Sequence, residues 1–241
     1  SSAHLLFPSL LFHANDLGLS FDIATHVGTL LAVVVYFRND IQKMLLAINP
    51  FNNSNDRENK KLFMYLAAAT MPIIIIGAIS SDFIVNRSFG VINIAWANII
   101  FAGVLLYAYR YGARNKGLIE LSLLAVIFIG IFQAFALLPG ASRSGTAITA
   151  ALLLGINLKD ASKFAFLLSI PTILGALVFL IIDSITFYET INFASLFIGF
   201  GVSAFTAFYT IKFFLAFIEK IGMYPFVVYR LCLGLVLILI A

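Results

Sequence analysis

The chain has little charge. Only 11% of its 241 residues are Asp, Glu, Lys or Arg, against roughly a quarter in a soluble domain. Hydrophobic residues make up 62%, and the mean hydropathy is +1.04. That excludes a globule with a surface kept in water and predicts an integral membrane protein. Cysteine is nearly missing: Cys232 stands alone, which excludes an internal disulfide and reads as a small hydrophobe in an apolar run. No GxxxxGK[ST] or HExxH pattern and no cysteine pair occurs, so a P-loop and a zinc site of those kinds are excluded. Acidic residues are almost all in loops, and no close carboxylate pair lies in an apolar segment. No cleavable signal is visible. The net charge of +4 does not imply a nucleic-acid partner, because the basic residues cluster between apolar runs, where they report orientation.

What is present is a series of long apolar runs. A spanning helix needs about 20 apolar residues at about 1.5 Å each. Segments 20–37, 62–80, 90–109, 161–182 and 190–211 qualify, and 223–241 makes a sixth if Arg230 is accommodated. Two pieces do not fit: 3–14, which is short, and 118–156, which is broken by Pro139, Gly140 and a Ser/Arg cluster. The part after the break, 146–156, would give about 16 Å of helix, too little to cross about 30 Å of hydrocarbon. The length predicts a re-entrant hairpin: 118–137 enters, 138–145 turns inside the membrane, and 146–156 returns.

Loop charges agree. Arg38, Lys43, Arg57, Lys60 and Lys61 in 38–61, and Arg110, Arg114 and Lys116 in 110–117, share one side, the cytoplasm by the positive-inside rule. A re-entrant 118–156 returns Lys159 and Lys163 to that side, with Lys212 and Lys220 following, and leaves 183–189 without a basic residue outside.

The chain also repeats itself. "SFDIATHVGTLLAVVVYF" (20–37) resembles "KFAFLLSIPTILGALVFL" (163–180), yet by the loop charges the two run in opposite directions. The expected architecture is all-α and polytopic, with about six transmembrane helices, re-entrant hairpins and an inverted-topology repeat. It forms a single membrane domain over 1–241, with 1–117 and 118–241 as the two repeats. Such folds place their sites at the repeat interface near the midplane. By symmetry 1–14 is the returning leg of a first hairpin whose other leg is expected upstream of Ser1.

Arg143, in "LLPGASRSGTAITA", is the first candidate for chemistry. A charge at membrane depth is costly and usually faces a polar cavity; the bland reading is an arginine that snorkels or ties helices together. The setting favours an anion. Gly140 and Gly145 allow close approach of a ligand to the backbone, Ser142, Ser144 and Thr146 add hydroxyls, and the amides of a helix start attract negative charge. His4, beside Ser1 and Ser2 in the other half of the repeat, reads as acid, base or nucleophile, or as a packing residue. Gln133 either lines the cavity or joins helices. His26 and His13 read as packing residues, Gly28, Pro72 and Pro171 as kinks or packing sites, and Arg230 as structural or interfacial.

These residues carry a resemblance. "QAFALLPGASRSGTAI" is similar to the signature loop of undecaprenyl-diphosphate phosphatases, the BacA-type bacitracin-resistance proteins, with the pattern PGxSRSGxT. "SSAHLL" resembles the end of that family's second loop, E-x3-E-F-L-P-x-S-S-x-G-H. "GLSFDIATHVGTLLAVVVYFRNDI" and "YPFVVYRLCLG" resemble further segments. Ala3 replaces the usual glycine, and Ala147 the usual threonine. The resemblance implies removal of the terminal phosphate of undecaprenyl diphosphate at the outer face of the bacterial inner membrane. The product is the lipid carrier of cell-wall synthesis. It implies that Arg143 binds the diphosphate, with Ser142 and Ser144 donating, and that His4 or Ser1 is acid/base or nucleophile. It also implies a divalent cation, Mg or Ca, whose two glutamates have no counterpart in this chain. The partners implied are a polyprenyl diphosphate lipid and the membrane. A competing reading is a transporter or flippase for an anionic or phospholipid substrate, since inverted repeats with broken helices also build transporters.

Overall fold

The computed structural model describes residues 18–49, 56–80, 90–184 and 193–240, all helices and connections. The helices are α1 (Gly18–Tyr36), α2 (Arg38–Ile48), α3 (Arg57–Ile79), α4 (Val91–Tyr111), α5 (Leu123–Ala134), α6 (Arg143–Leu153), α7 (Leu158–Ser184), α8 (Phe193–Ile221) and α9 (Tyr224–Ile240). The described residues bear out an all-α membrane protein.

Of the six expected spans, α3, α4, α8 and Leu158–Val178 of α7 are long and apolar enough to cross a membrane. A fifth exists if α1 and α2 count as one span; they bend by 75° about Phe37. The sixth, α9, has 17 residues, about 25 Å of helix and the lower limit for a crossing. One expectation needs correcting. Residues 38–48 are a helix rather than loop, with Met44 buried on one face and Lys43, Leu45 and Leu46 outside. Residues 57–61 are the first turns of α3, started by Asp56, whose carboxylate accepts from the Asn59 amide at 3.1 Å.

The hairpin forms as length and charge predict. Ser122 caps α5, its Oγ accepting from Ala125 N at 3.2 Å. A single 3-10 turn (Phe135–Leu137) and Pro139 end that leg, and α6 is the short return. Both ends of the hairpin leave by one door. Lys116 N donates to Gly155 O and Asn157 N to Lys116 O, each at 3.0 Å, joining the strand-like residues before and after it. Asp160 locks this root, accepting from Leu118 N at 3.3 Å and from Asn157 Nδ2 at 3.0 Å. The other charged loops meet here. Lys61 Nζ reaches Ile119 O at 2.7 Å, Lys163 pairs with Asp40 at 2.5 Å, and Lys159 with Glu219 at 3.3 Å. Helix α2, the loop 110–117 and the starts of α3 and α7 therefore lie at one end of the bundle.

From that end α6 runs inward through the core. Its residues Gly145–Leu152 are all buried, packed by α4, α5 and α7. A helix sheathed on all sides needs no polar face, and Ala147, Ile148, Ala150, Ala151 and Leu152 supply none. Small residues permit the approach: a Cβ on Gly112 would strike the Leu152 carbonyl, and one on Gly130 of α5 the Ala69 carbonyl of α3. Gly28 is a packing site of this kind, set against Phe200 O and Ser203 of α8. Pro72 and Pro171 lie inside α3 and α7, which run through them unbroken. Only 11% of the α8 span is buried, so Phe197, Phe205 and Phe213 face outward, as lipid contact requires.

Candidate anion site at the hairpin turn

Chain reversal at membrane depth demands unusual backbone, and the sequence supplies it at two residues. Gly140 has φ +98, and a Cβ there would also meet the Ile94 carbonyl oxygen at 2.5 Å. Ser142 adopts φ 68 and ψ 113. A left-handed non-glycine of this kind costs on the order of 1–3 kcal/mol and persists where the surroundings enforce it, commonly at functional sites. Here the enforcement is its capping role. Ser142 Oγ accepts from Gly145 N at 3.3 Å, and its carbonyl accepts from Thr146 N at 2.9 Å. Because the oxygen accepts, its O–H remains free to donate outward. The amides of Arg143 and Ser144 have no partner among the described residues. The start of α6 therefore presents two N–H groups, a hydroxyl and the positive end of a helix dipole.

Arg143 is the first residue of α6 and is half-buried, with Ser144 half-buried beside it. Among the described residues no carboxylate pairs with Arg143. Thr146 is fully buried, and its hydroxyl donates to the Arg143 carbonyl at 2.9 Å. It therefore braces the turn from behind instead of offering a proton to a ligand. Thr149 braces the next turn, donating to Gly145 O at 2.6 Å. Gln133 is buried one leg away, its Oε1 without a partner among the described residues. His4 and Ser1 lie outside the described residues, as does His13.

Two residues gain a place at the turn that their sequence setting did not give them. Arg230 of α9 is 3% exposed; Nε donates to Asn98 Oδ1 of α4 at 2.8 Å and Nη2 to Gly140 O at 2.6 Å. Asn98, buried in α4, is the other. His26 of α1 is held within its own helix. Its Nδ1 donates to the Asp22 carbonyl at 2.7 Å, so the neutral ring keeps Nε2 as its acceptor. The signal for Arg230 was in the sequence: an arginine inside an apolar run, the same feature that singles out Arg143.

Among the described residues no group of three or more His, Cys, Asp or Glu is placed to hold a metal ion. The described part of the site does not fit the divalent cation that the resemblance implies. Its chemistry is that of guanidinium, hydroxyl and amide donors, which suits an anion such as phosphate.

Known proteins agree with that chemistry. The sequence profile of the family described as Bacitracin resistance protein BacA matches residues 1–236. The undecaprenyl-diphosphatase of Alcanivorax borkumensis is 43% identical over 99% of this chain and 90% of its own length. Those of Teredinibacter turnerae, at 42% over 98% and 90%, and Alteromonas mediterranea, at 41% over 99% and 90%, are similar to the same extent. A match that runs through both legs of the hairpin, the capped turn and α9 leaves one conclusion: the chain belongs to the BacA bacitracin-resistance family.

Proposed function

We infer that the turn Gly140–Thr146 holds the phosphates of the substrate. The chain is an undecaprenyl-diphosphate phosphatase: it hydrolyses undecaprenyl diphosphate to undecaprenyl phosphate and inorganic phosphate. The bond broken joins the terminal phosphorus to the bridging oxygen. That oxygen stays with the lipid, and the oxygen of water ends on the released phosphate. Phosphoryl transfer of this kind asks chiefly for positioning and charge neutralisation. The observation that carries the assignment is the start of α6, where Arg143, two amides and the Ser142 hydroxyl come together and, among the described residues, the amides are unpaired and no carboxylate pairs with Arg143. Arg143 would engage two phosphate oxygens with its planar fork, and the amides and Ser142 a third. His4 and Ser1 are the candidates for acid/base and nucleophile by their motif. The divalent cation that the resemblance implies would be held by the family's two glutamates, which have no counterpart in this chain.

The charged end of the bundle is taken as cytoplasmic, on the positive-inside rule. The turn then lies about 16 Å beyond the root along α6, and its mouth opens toward the outer face of the inner membrane. The isoprenoid tail would run along the phenylalanine-rich outer helices. The symmetry of 1–117 with 118–241 supports a site shared between the two repeats.

The test is phosphate release from undecaprenyl diphosphate by the complete protein, first in detergent and then in sealed vesicles. Release of inorganic phosphate that depends on Arg143 supports the reading. Movement of intact diphosphate lipid between leaflets without release would support the transporter instead.

A further inference from the structure

Arg230 donates to two buried acceptors and has one nitrogen left over. Nη1 is buried and has no hydrogen-bond partner among the described residues. It lies against Gly145: a Cβ on that glycine would be 3.0 Å from Nη1 and 3.1 Å from Ser142 Oγ. The unused corner of the guanidinium thus sits beside the capping hydroxyl, under the first turn of α6. Among the described residues Arg230 has no carboxylate partner, and neither does Arg143. Two positive charges at one turn in an apolar bundle, with no counter-ion among the described residues, are unfavourable when no ligand is bound. A bound polyanion removes the imbalance.

We propose that Arg230 is a positioning residue of the anion site and its second cation. It holds the Gly140 carbonyl so that the turn presents Ser142 and the free amides, and it sets a positive charge beneath the diphosphate. This rests on the turn being the phosphate site. Two arginines suit a substrate with two phosphates: Arg143 at the mouth for the terminal one, and Arg230 underneath for the charge left on the lipid phosphate as the bridge breaks. Asn98 fixes the Nε edge and so aims the guanidinium.

The experiment uses three variants of the complete protein: Arg230→Gln, Arg230→Lys and Asn98→Leu. Arg143→Lys is run in parallel. The readouts are kcat and KM for undecaprenyl diphosphate, inhibition by inorganic pyrophosphate, and thermal stability. Arg230→Gln, with the charge gone, is expected to raise KM and the pyrophosphate inhibition constant tenfold or more. Arg230→Lys should recover part of the binding loss, because the charge returns, while kcat stays low without the fork. Asn98→Leu should shift binding in the same direction by a few fold. A folded Arg230→Gln protein with KM and inhibition within twofold of the parent overturns the proposal. Should that variant not accumulate, an Asn98→Leu protein with unchanged constants overturns it equally. If Arg143→Lys also leaves both constants untouched, the fault lies with the turn as the phosphate site, and not with Arg230 alone.

Discussion

The two ends of the re-entrant hairpin are built to opposite rules. At the root, between Lys116 and Asp160, polar groups find partners: Asn157 caps Asp160 N at 2.9 Å, Asp160 accepts from Leu118 N, and Lys61 donates to Ile119 O. At the turn, Gly140 and Ser142 sit at positive φ, and among the described residues the first amides of α6 are unpaired and neither Arg143 nor Arg230 has a carboxylate partner. Yet the turn is the end embedded in the core, where an unsatisfied donor costs most. The root is an anchor in which these polar groups are paired. The turn stores unspent donors, and a phosphate is what would spend them.

Arg143→Lys is the sharpest way to break this contrast. Lysine keeps the charge and loses the fork. Turnover of the complete protein should fall by about a hundredfold or more, the scale seen when one transition-state donor is removed, with folding and insertion retained. Near-parental kcat/KM would show that the turn is no different in kind from the root.

Gly140→Ala should come next. It forces a side chain onto φ +98 and toward the Ile94 carbonyl. A loss of about 1–3 kcal/mol in stability is expected from the strained backbone alone. Activity should fall further than stability explains, because Gly140 O is the acceptor for Arg230. A thermal melt and a turnover assay on the same preparation separate the two. Asp160→Ala at the root is the counterpart. It removes the acceptor of Leu118 N and Asn157 Nδ2, costing about 1 kcal/mol, and kcat should stay within about twofold since nothing there touches a phosphate. A large loss of kcat with stability intact would abolish the division between anchor and site.

Much of this division was legible in the sequence, for physical reasons that differ by residue. Pro139, Gly140 and a run too short to cross the membrane fixed the hairpin, and the loop charges put its two ends on one side. Arg143 announced itself because a lone charge in hydrocarbon needs a reason. Arg230 met the same condition, but its meaning depends on contacts with Asn98 and Gly140, 132 and 90 residues away. No local pattern reports such pairings. Residues 38–48 were read as loop because their charges lower the hydropathy, although Ile41 and Met44 keep a helical spacing on the inward side. Thr146 looked like a donor from its neighbours; only the backbone geometry shows its proton committed to Arg143 O.

The orientation of the comparison can be tested directly. Asn115→Cys and Asn93→Cys, each in a Cys232→Ala background, mark the root end and the far end of α4. A membrane-impermeant maleimide applied to intact cells should label position 93 and spare position 115. The reverse pattern would turn the site toward the cytoplasm.

The smallest effect belongs to the cap that starts α3 at the charged end. Asp56 accepts from the Asn59 amide at 3.1 Å and from Asn59 Nδ2 at 2.5 Å. These hydrogen bonds favour the carboxylate, the side-chain one first, and hold its pKa below the usual value near 3.8. A depressed folded pKa means the cap contributes fully above the unfolded value and is lost as pH falls through the folded one, so the effect is confined to pH below about 4. The Asp56 carboxyl carbon, followed by NMR in detergent, should titrate with a midpoint below that of an unstructured Asp, and Asn59→Ala should bring it back. A midpoint at or above the ordinary value would show that the cap does not form. At pH 5 and above this cap is fully charged and its contribution no longer changes with pH.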